Sequence, residues 1–137
     1  MPEKCKLILV ADDDVEDLEL LQEALLQCEP DLKIQFANSG KRILDFLMNN
    51  IDNGLPSLII LDYNMPDMNG AEVLAKLSNN PRYQAIPKVV WSTSNNSKYI
   101  RECMESGATS YFVKPSSAKE LQNQAKEMLA LCVAQLS

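Results

Sequence analysis

Four short apolar runs in this chain each stop on a polar side chain, and each is separated from the next by room for a helix. Leu7-Ile8-Leu9-Val10-Ala11 ends on Asp12-Asp13-Asp14, and Leu58-Ile59-Ile60-Leu61 ends on Asp62. Val89-Val90-Trp91 ends on Ser92, and Tyr111-Phe112-Val113 ends on Lys114. Runs this short, rich in β-branched or aromatic residues, are the pattern of parallel strands buried on both faces. A fifth run, Lys33-Ile34-Gln35-Phe36-Ala37, alternates apolar and polar residues and reads as an edge strand.

The strands are predicted to begin near Lys6, Lys33, Ser57, Lys88 and Ser110. Helical periodicity fills the gaps. Val15 to Cys28 sets Leu18, Leu21, Leu25 and Cys28 on one stripe behind an Asp14 cap. Gly40 to Met48, Gly70 to Leu77 and a short, mostly polar Ser97 to Glu105 follow. Ser117 to Gln135 closes the chain, with Ser117 and Glu120 spaced as a capping box. Five β-α repeats joined by right-handed crossovers give an α/β fold: a five-stranded parallel sheet with helices on both faces. Strand order 2-1-3-4-5 would put the switch point between the first and third strands, so that Asp12, Asp13 and Asp62 share one crevice with Ser92 and Lys114.

Composition narrows the chemistry. At 137 residues the chain reads as one domain, residues 1–137, with a core of about 6–130. The formal charge of -6, with no basic stripe, argues against nucleic-acid binding. The polar start and the short first apolar run predict neither a leader nor a membrane span, hence a cytoplasmic protein. The four cysteines, Cys5, Cys28, Cys103 and Cys132, form no C-x-x-C pair and read as structural thiols of a reducing compartment. Histidine is absent, which removes His bases, His metal ligands and phosphohistidine carriers together.

Three carboxylates within a few Å repel one another, and a hard divalent cation relieves that repulsion. An all-oxygen donor set suits Mg²⁺, which usually takes one or two carboxylates and a phosphate. Asp62 can act as the nucleophile toward phosphorus. Mg²⁺, the Lys114 ammonium and the Ser92 hydroxyl would then each cover one equatorial oxygen, with backbone N–H groups after Asp62 assisting.

These residues carry a resemblance. The stretches "LILVADDD", "LIILDYNMPDMNG", "IPKVVWSTS" and "GATSYFVKP" occur in order, and together the chain resembles a receiver domain of a two-component response regulator (CheY-like, flavodoxin-like fold). "NNPRYQAIPKVVWSTSNN" and "SYFVKPSS" make it most similar to the stand-alone type that partners phytochromes. The resemblance implies phosphorylation of Asp62 by a sensor histidine kinase or a phosphotransfer protein, and slow self-dephosphorylation. It also implies Mg²⁺ bound by Asp13, Asp62 and the carbonyl of Asn64, with Asp12 acting through metal-bound water. Ser92 takes the switch hydroxyl position, Tyr111 the switch aromatic position, and Lys114-Pro115 is expected to be cis. Ser92 where threonine is commoner, and Thr93 where alanine is, depart from the family pattern and point to altered rates. With no output domain expected, output would be by contact: partner binding, relay, or homodimerisation through the last helix and strand.

Each residue also has an ordinary reading. Asp14 is a helix cap, Asp62-x-Asn64-x-Pro66 is turn chemistry, and "STSNNS" is a polar loop. Tyr111 and Trp91 can be core, and Glu16, Asp17, Glu19 and Glu23 read as the solvated face of the first helix. A Mg²⁺-dependent phosphohydrolase would want a second acid at Asn64. A flavin module would want hydroxyls where Asp12 to Asp14 stand, and a degenerate receiver would serve only as a scaffold.

Overall fold

The structure, a computed structural model, describes residues 5–49 and 54–136, with side chains given through Cys132. Residues 1–4, read above as part of a start that is neither leader nor span, lie outside the described residues. Five strands and five helices alternate: β1 (Leu7–Ala11), α1 (Val15–Cys28), β2 (Lys33–Ala37), α2 (Gly40–Asn49), β3 (Leu58–Leu61), α3 (Gly70–Ser78), β4 (Lys88–Ser92), α4 (Ser97–Glu105), β5 (Ser110–Val113) and α5 (Ala118–Leu136). The strands pair in parallel, as the alternation predicts, and their order is β2-β1-β3-β4-β5, the one that sets the switch point between β1 and β3.

The period of two along each strand sorts its side chains into two cores. Leu9, Ala11, Ile59, Leu61 and Val90 pack with Ile43 and Leu47 of α2, Val73, Leu74 and Leu77 of α3, and Cys103 of α4. Ile8, Val10, Leu58, Ile60, Val89 and Trp91 pack on the other face with Leu21 and Leu25 of α1 and Leu121, Ala125 and Met128 of α5. Because β1, β3 and β4 are covered on both faces they read as continuous apolar runs. The edge strand β2 is only partly covered and alternates instead.

Helix starts follow local side-chain chemistry. Asp14 accepts the Asp17 N–H at 3.1 Å, and Asn69 with Glu72 completes a capping box at α3. At α5 only half of the predicted box forms, with Glu120 N–H donating to Ser117 Oγ at 3.2 Å.

Two expectations are corrected. Cys5 and Cys132 are joined in a disulfide, while Cys28 and Cys103 are free thiols as read from the sequence. The partners lie 127 residues apart, yet the fold sets the residues before β1 beside the last turns of α5, with a Cα–Cα distance of 5.8 Å. A spacing rule cannot see such a pair. No cis peptide bond occurs among the described residues, so Lys114-Pro115 is trans. The trans form is favoured by about 0.5–1 kcal/mol at X–Pro bonds, and with it Lys114 already reaches the site. Among the described residues, no helix is long and apolar enough to cross a membrane.

Candidate functional site

The carboxyl ends of β1, β3, β4 and β5 bring the chemistry together. Asp12 follows β1 and is 1% exposed, Asp62 follows β3 and is 7% exposed, and Ser92 ends β4 with no exposure. Backbone hydrogen bonds from Asp12 N–H to Ala37 O at 3.0 Å and from Asp62 N–H to Ala11 O at 2.9 Å extend the ladder to these acids. Each carboxylate is therefore set by sheet register and not by a loose loop.

Asp12, Asp13 and Asp62 each offer a carboxylate oxygen, and these oxygens lie within 4.8 Å of one another. Asp13 is exposed, so the cluster opens to solvent on one side. Lys114 reaches it from the end of β5: its Nζ lies 2.7 Å from Asp12 Oδ2 and 3.2 Å from Asp62 Oδ2. The Asp62 contact is a directed hydrogen bond, whereas the Asp12 contact is an ion pair outside hydrogen-bonding geometry. Asp12 Oδ2 is thus a buried oxygen whose close partner is the Lys114 charge. Burial pushes the Asp12 carboxyl up to about 6, with the Asp62 charge adding to the rise against Lys114 and the Asp14 N–H. Burial would lower the Lys114 ammonium, but its hydrogen bonds to carboxylates and the charge of Asp62 outweigh that and raise it. An all-oxygen set of three carboxylates, one of them open to solvent, fits a hard divalent cation.

Ser92 Oγ accepts the Ser94 N–H at 3.4 Å. Asn64 N–H points at Asp62 Oδ1, also at 3.4 Å. Tyr111 is half-buried, and its hydroxyl donates to Ser94 O at 2.7 Å, which ties β5 to the loop after β4. Trp91 is core, as its sequence context suggests, and its ring lies 4.9 Å from Lys114 Nζ.

Two features escaped the sequence reading. Asp17, read as part of a solvated face, also accepts at Oδ2 a hydrogen bond from Lys114 Nζ at 2.7 Å. The signal was its place in the first turn of α1, where Cα–Cβ bonds tilt back toward the helix start and hence toward the strand end. Tyr63, directly after Asp62, stacks on Tyr99 of α4 with ring centroids 4.5 Å apart and donates its hydroxyl to Glu102 at 3.1 Å. Burial, with Glu102 adding, pushes the Tyr63 phenol up to about 12. Helical spacing sets Tyr99 beside Glu102 on α4, but no local pattern links that pair to Tyr63.

Residues 8–126 match the response regulator receiver domain family. The chain belongs to that family. This receiver is 33% identical over 119 residues to response regulator Rcp1 of Synechocystis sp., a match covering 85% of the chain and 81% of the relative. It is 31% identical over 122 residues to two-component response regulator ORR5 of Oryza sativa subsp. japonica, covering 89% and 87%. Among solved structures, it is similar to the phosphorylated cyanobacterial phytochrome response regulator RcpA, with a TM-score of 0.86, 27% identity and 97% of each chain covered. It is similar also to the Mn²⁺-bound form of Rcp1, with a TM-score of 0.78, 32% identity and 89% and 90% coverage. The receiver is thus a module of two-component signalling, a family whose members work with histidine kinases or phosphotransfer proteins.

Proposed function

We propose that this receiver accepts a phosphoryl group on Asp62 from a phosphohistidine and that the adduct switches a partner-binding surface. The observation that carries the reading is the approach of the Lys114 ammonium to Asp62, 3.2 Å away, beside two further carboxylates that fit a cation. The Asp62 oxygen attacks phosphorus, the P–N bond of the donor breaks, and the imidazole leaves with its electron pair. Asp12, Asp13, Asp62 and the Asn64 carbonyl would hold Mg²⁺, whose charge supplies neutralisation of the phosphoryl oxygens. Lys114 neutralises a second oxygen, and Ser92 moves to donate to a third.

The switch follows from Tyr111. Its hydroxyl holds Ser94 O, so a shift of Ser92 and its loop releases the ring to turn inward. The β4–α4 loop, α4, β5 and α5 then present a changed surface to a partner or to a second copy of the chain. Likeness to RcpA and Rcp1 supports a phytochrome-type sensor kinase as the donor. Slow hydrolysis of the adduct makes the protein a timed switch.

The test is intact mass after incubation with acetyl phosphate and Mg²⁺. Wild type should gain one phosphoryl group, and Asp62→Asn or chelation of the metal should abolish the gain. An adduct that persists in Asp62→Asn would mean another nucleophile.

A further inference from the structure

The Lys114 ammonium has three N–H donors, and three carboxylates surround it: Asp12 and Asp17 at 2.7 Å each and Asp62 at 3.2 Å. Its side chain is 7% exposed, so the ammonium is held among these carboxylates and not in bulk water. Asp12 and Asp62 belong to the cluster that fits a cation, and a bound cation weakens their hold on the ammonium. Asp17 lies outside that cluster on α1, with its backbone N–H clamped by Asp14 Oδ1. Its contact with Lys114 is therefore made outside the metal cluster.

We propose that Asp17 is a positioning residue that holds back one Lys114 donor from a phosphoryl group on Asp62, and so sets how tightly the site grips that group. The proposal rests on the reading of Asp62 as phosphoryl acceptor. A phosphoryl oxygen must compete with Asp17 Oδ2 for the ammonium, and Asp17, with 26% of its side chain exposed, is only partly desolvated and easily satisfied. An acid in the first turn of α1 would otherwise serve only the helix dipole. That role predicts lost stability in Asp17→Asn but no change in oxyanion affinity.

The experiment titrates fluoroberyllate, a mimic of the phosphoryl group, in the presence of Mg²⁺. The fluorescence of Trp91, the one tryptophan of the chain, reports binding from 4.9 Å beside Lys114. Asp17→Asn should bind about fivefold more tightly, a modest fraction of one charge-assisted hydrogen bond. In a Lys114→Met background the same substitution should have no effect. Asp17→Ser should repeat the gain and stands in should the asparagine variant fold poorly. Unchanged or weaker binding in Asp17→Asn, or an equal gain without Lys114, would overturn the proposal. Wild type that ignores fluoroberyllate, or Asp62→Asn that binds it as well, would remove the Asp62 reading and the proposal with it.

Discussion

A β-carbon on Gly70 would sit 2.7 Å from the Asp62 carbonyl oxygen and 3.2 Å from the Tyr63 Cα. Both neighbours are backbone and cannot step aside like a flexible side chain. The Gly70 N–H also donates to Tyr63 O at 2.9 Å, so the β3–α3 loop closes back on the residue directly after Asp62. Gly70→Ala should therefore cost about 1–3 kcal/mol by overpacking, read as a lower denaturant midpoint. Because the strain falls on Asp62 itself, the rate of phosphoryl gain from acetyl phosphate should fall as well. A variant as stable and as reactive as wild type would show that the loop relaxes freely. Asp62 is thus positioned from two sides, by the β1 ladder and by a residue eight positions downstream.

Among the helices, α4 buries the fewest residues. Only Cys103 of its residues is buried, and the short polar sequence predicted as much. Its ties to the site are aromatic and polar: Tyr99 stacked on Tyr63, and Glu102 accepting the Tyr63 hydroxyl. Its end is fixed by Gly107, whose φ of 114° other residues rarely adopt, and by Ser78 Oγ donating to Ser106 O at 2.9 Å. Tyr99→Ala should cost about 1–3 kcal/mol, combining the ring pair with lost burial. The loss should be local, so amide exchange in residues 97–105 should quicken while β1 and β3 keep their protection. Equal acceleration throughout would mean that α4 opens only with the whole fold. A weakly docked helix joined to the residue after Asp62 is suited to move when Asp62 changes.

Across the whole molecule, the Cys5–Cys132 bond fastens α5 to the foot of β1, at the edge of the sheet opposite the site. It closes nearly the entire chain into one loop, the partners lying 127 positions apart in sequence. Constraining so long a loop in the unfolded chain is worth about 3–5 kcal/mol. Reduction should accordingly lower Tm by about 10–15 °C, checked by calorimetry with and without reductant. Phosphoryl gain on Asp62 should survive at room temperature, since Cys5 precedes β1 while Asp12 follows it, at the other end of the strand. An unchanged Tm would mean that packing of Met128 and Ala125 already holds α5 without the covalent tie.

The alternation of strands and helices, the two helical layers and the meeting of Asp12, Asp13, Asp62 and Lys114 were legible in the residues, because periodicity and strand ends are local properties. Burial on both faces writes continuous apolar runs, and a parallel sheet carries the residue after each run to one edge. Asp17, the Tyr63–Tyr99–Glu102 contact and the disulfide were not legible. Asp17 looks like any acid on a solvated helix face until Lys114 arrives from 97 residues away. Tyr63 meets Glu102 across 39 residues, and Cys5 meets Cys132 across 127. Those contacts depend on how helices lean against the sheet, which no local pattern records. The site's inventory of groups belongs to the sequence; the apportioning of Lys114 among three carboxylates was decided only by tertiary packing, which set three oxygens around one buried ammonium.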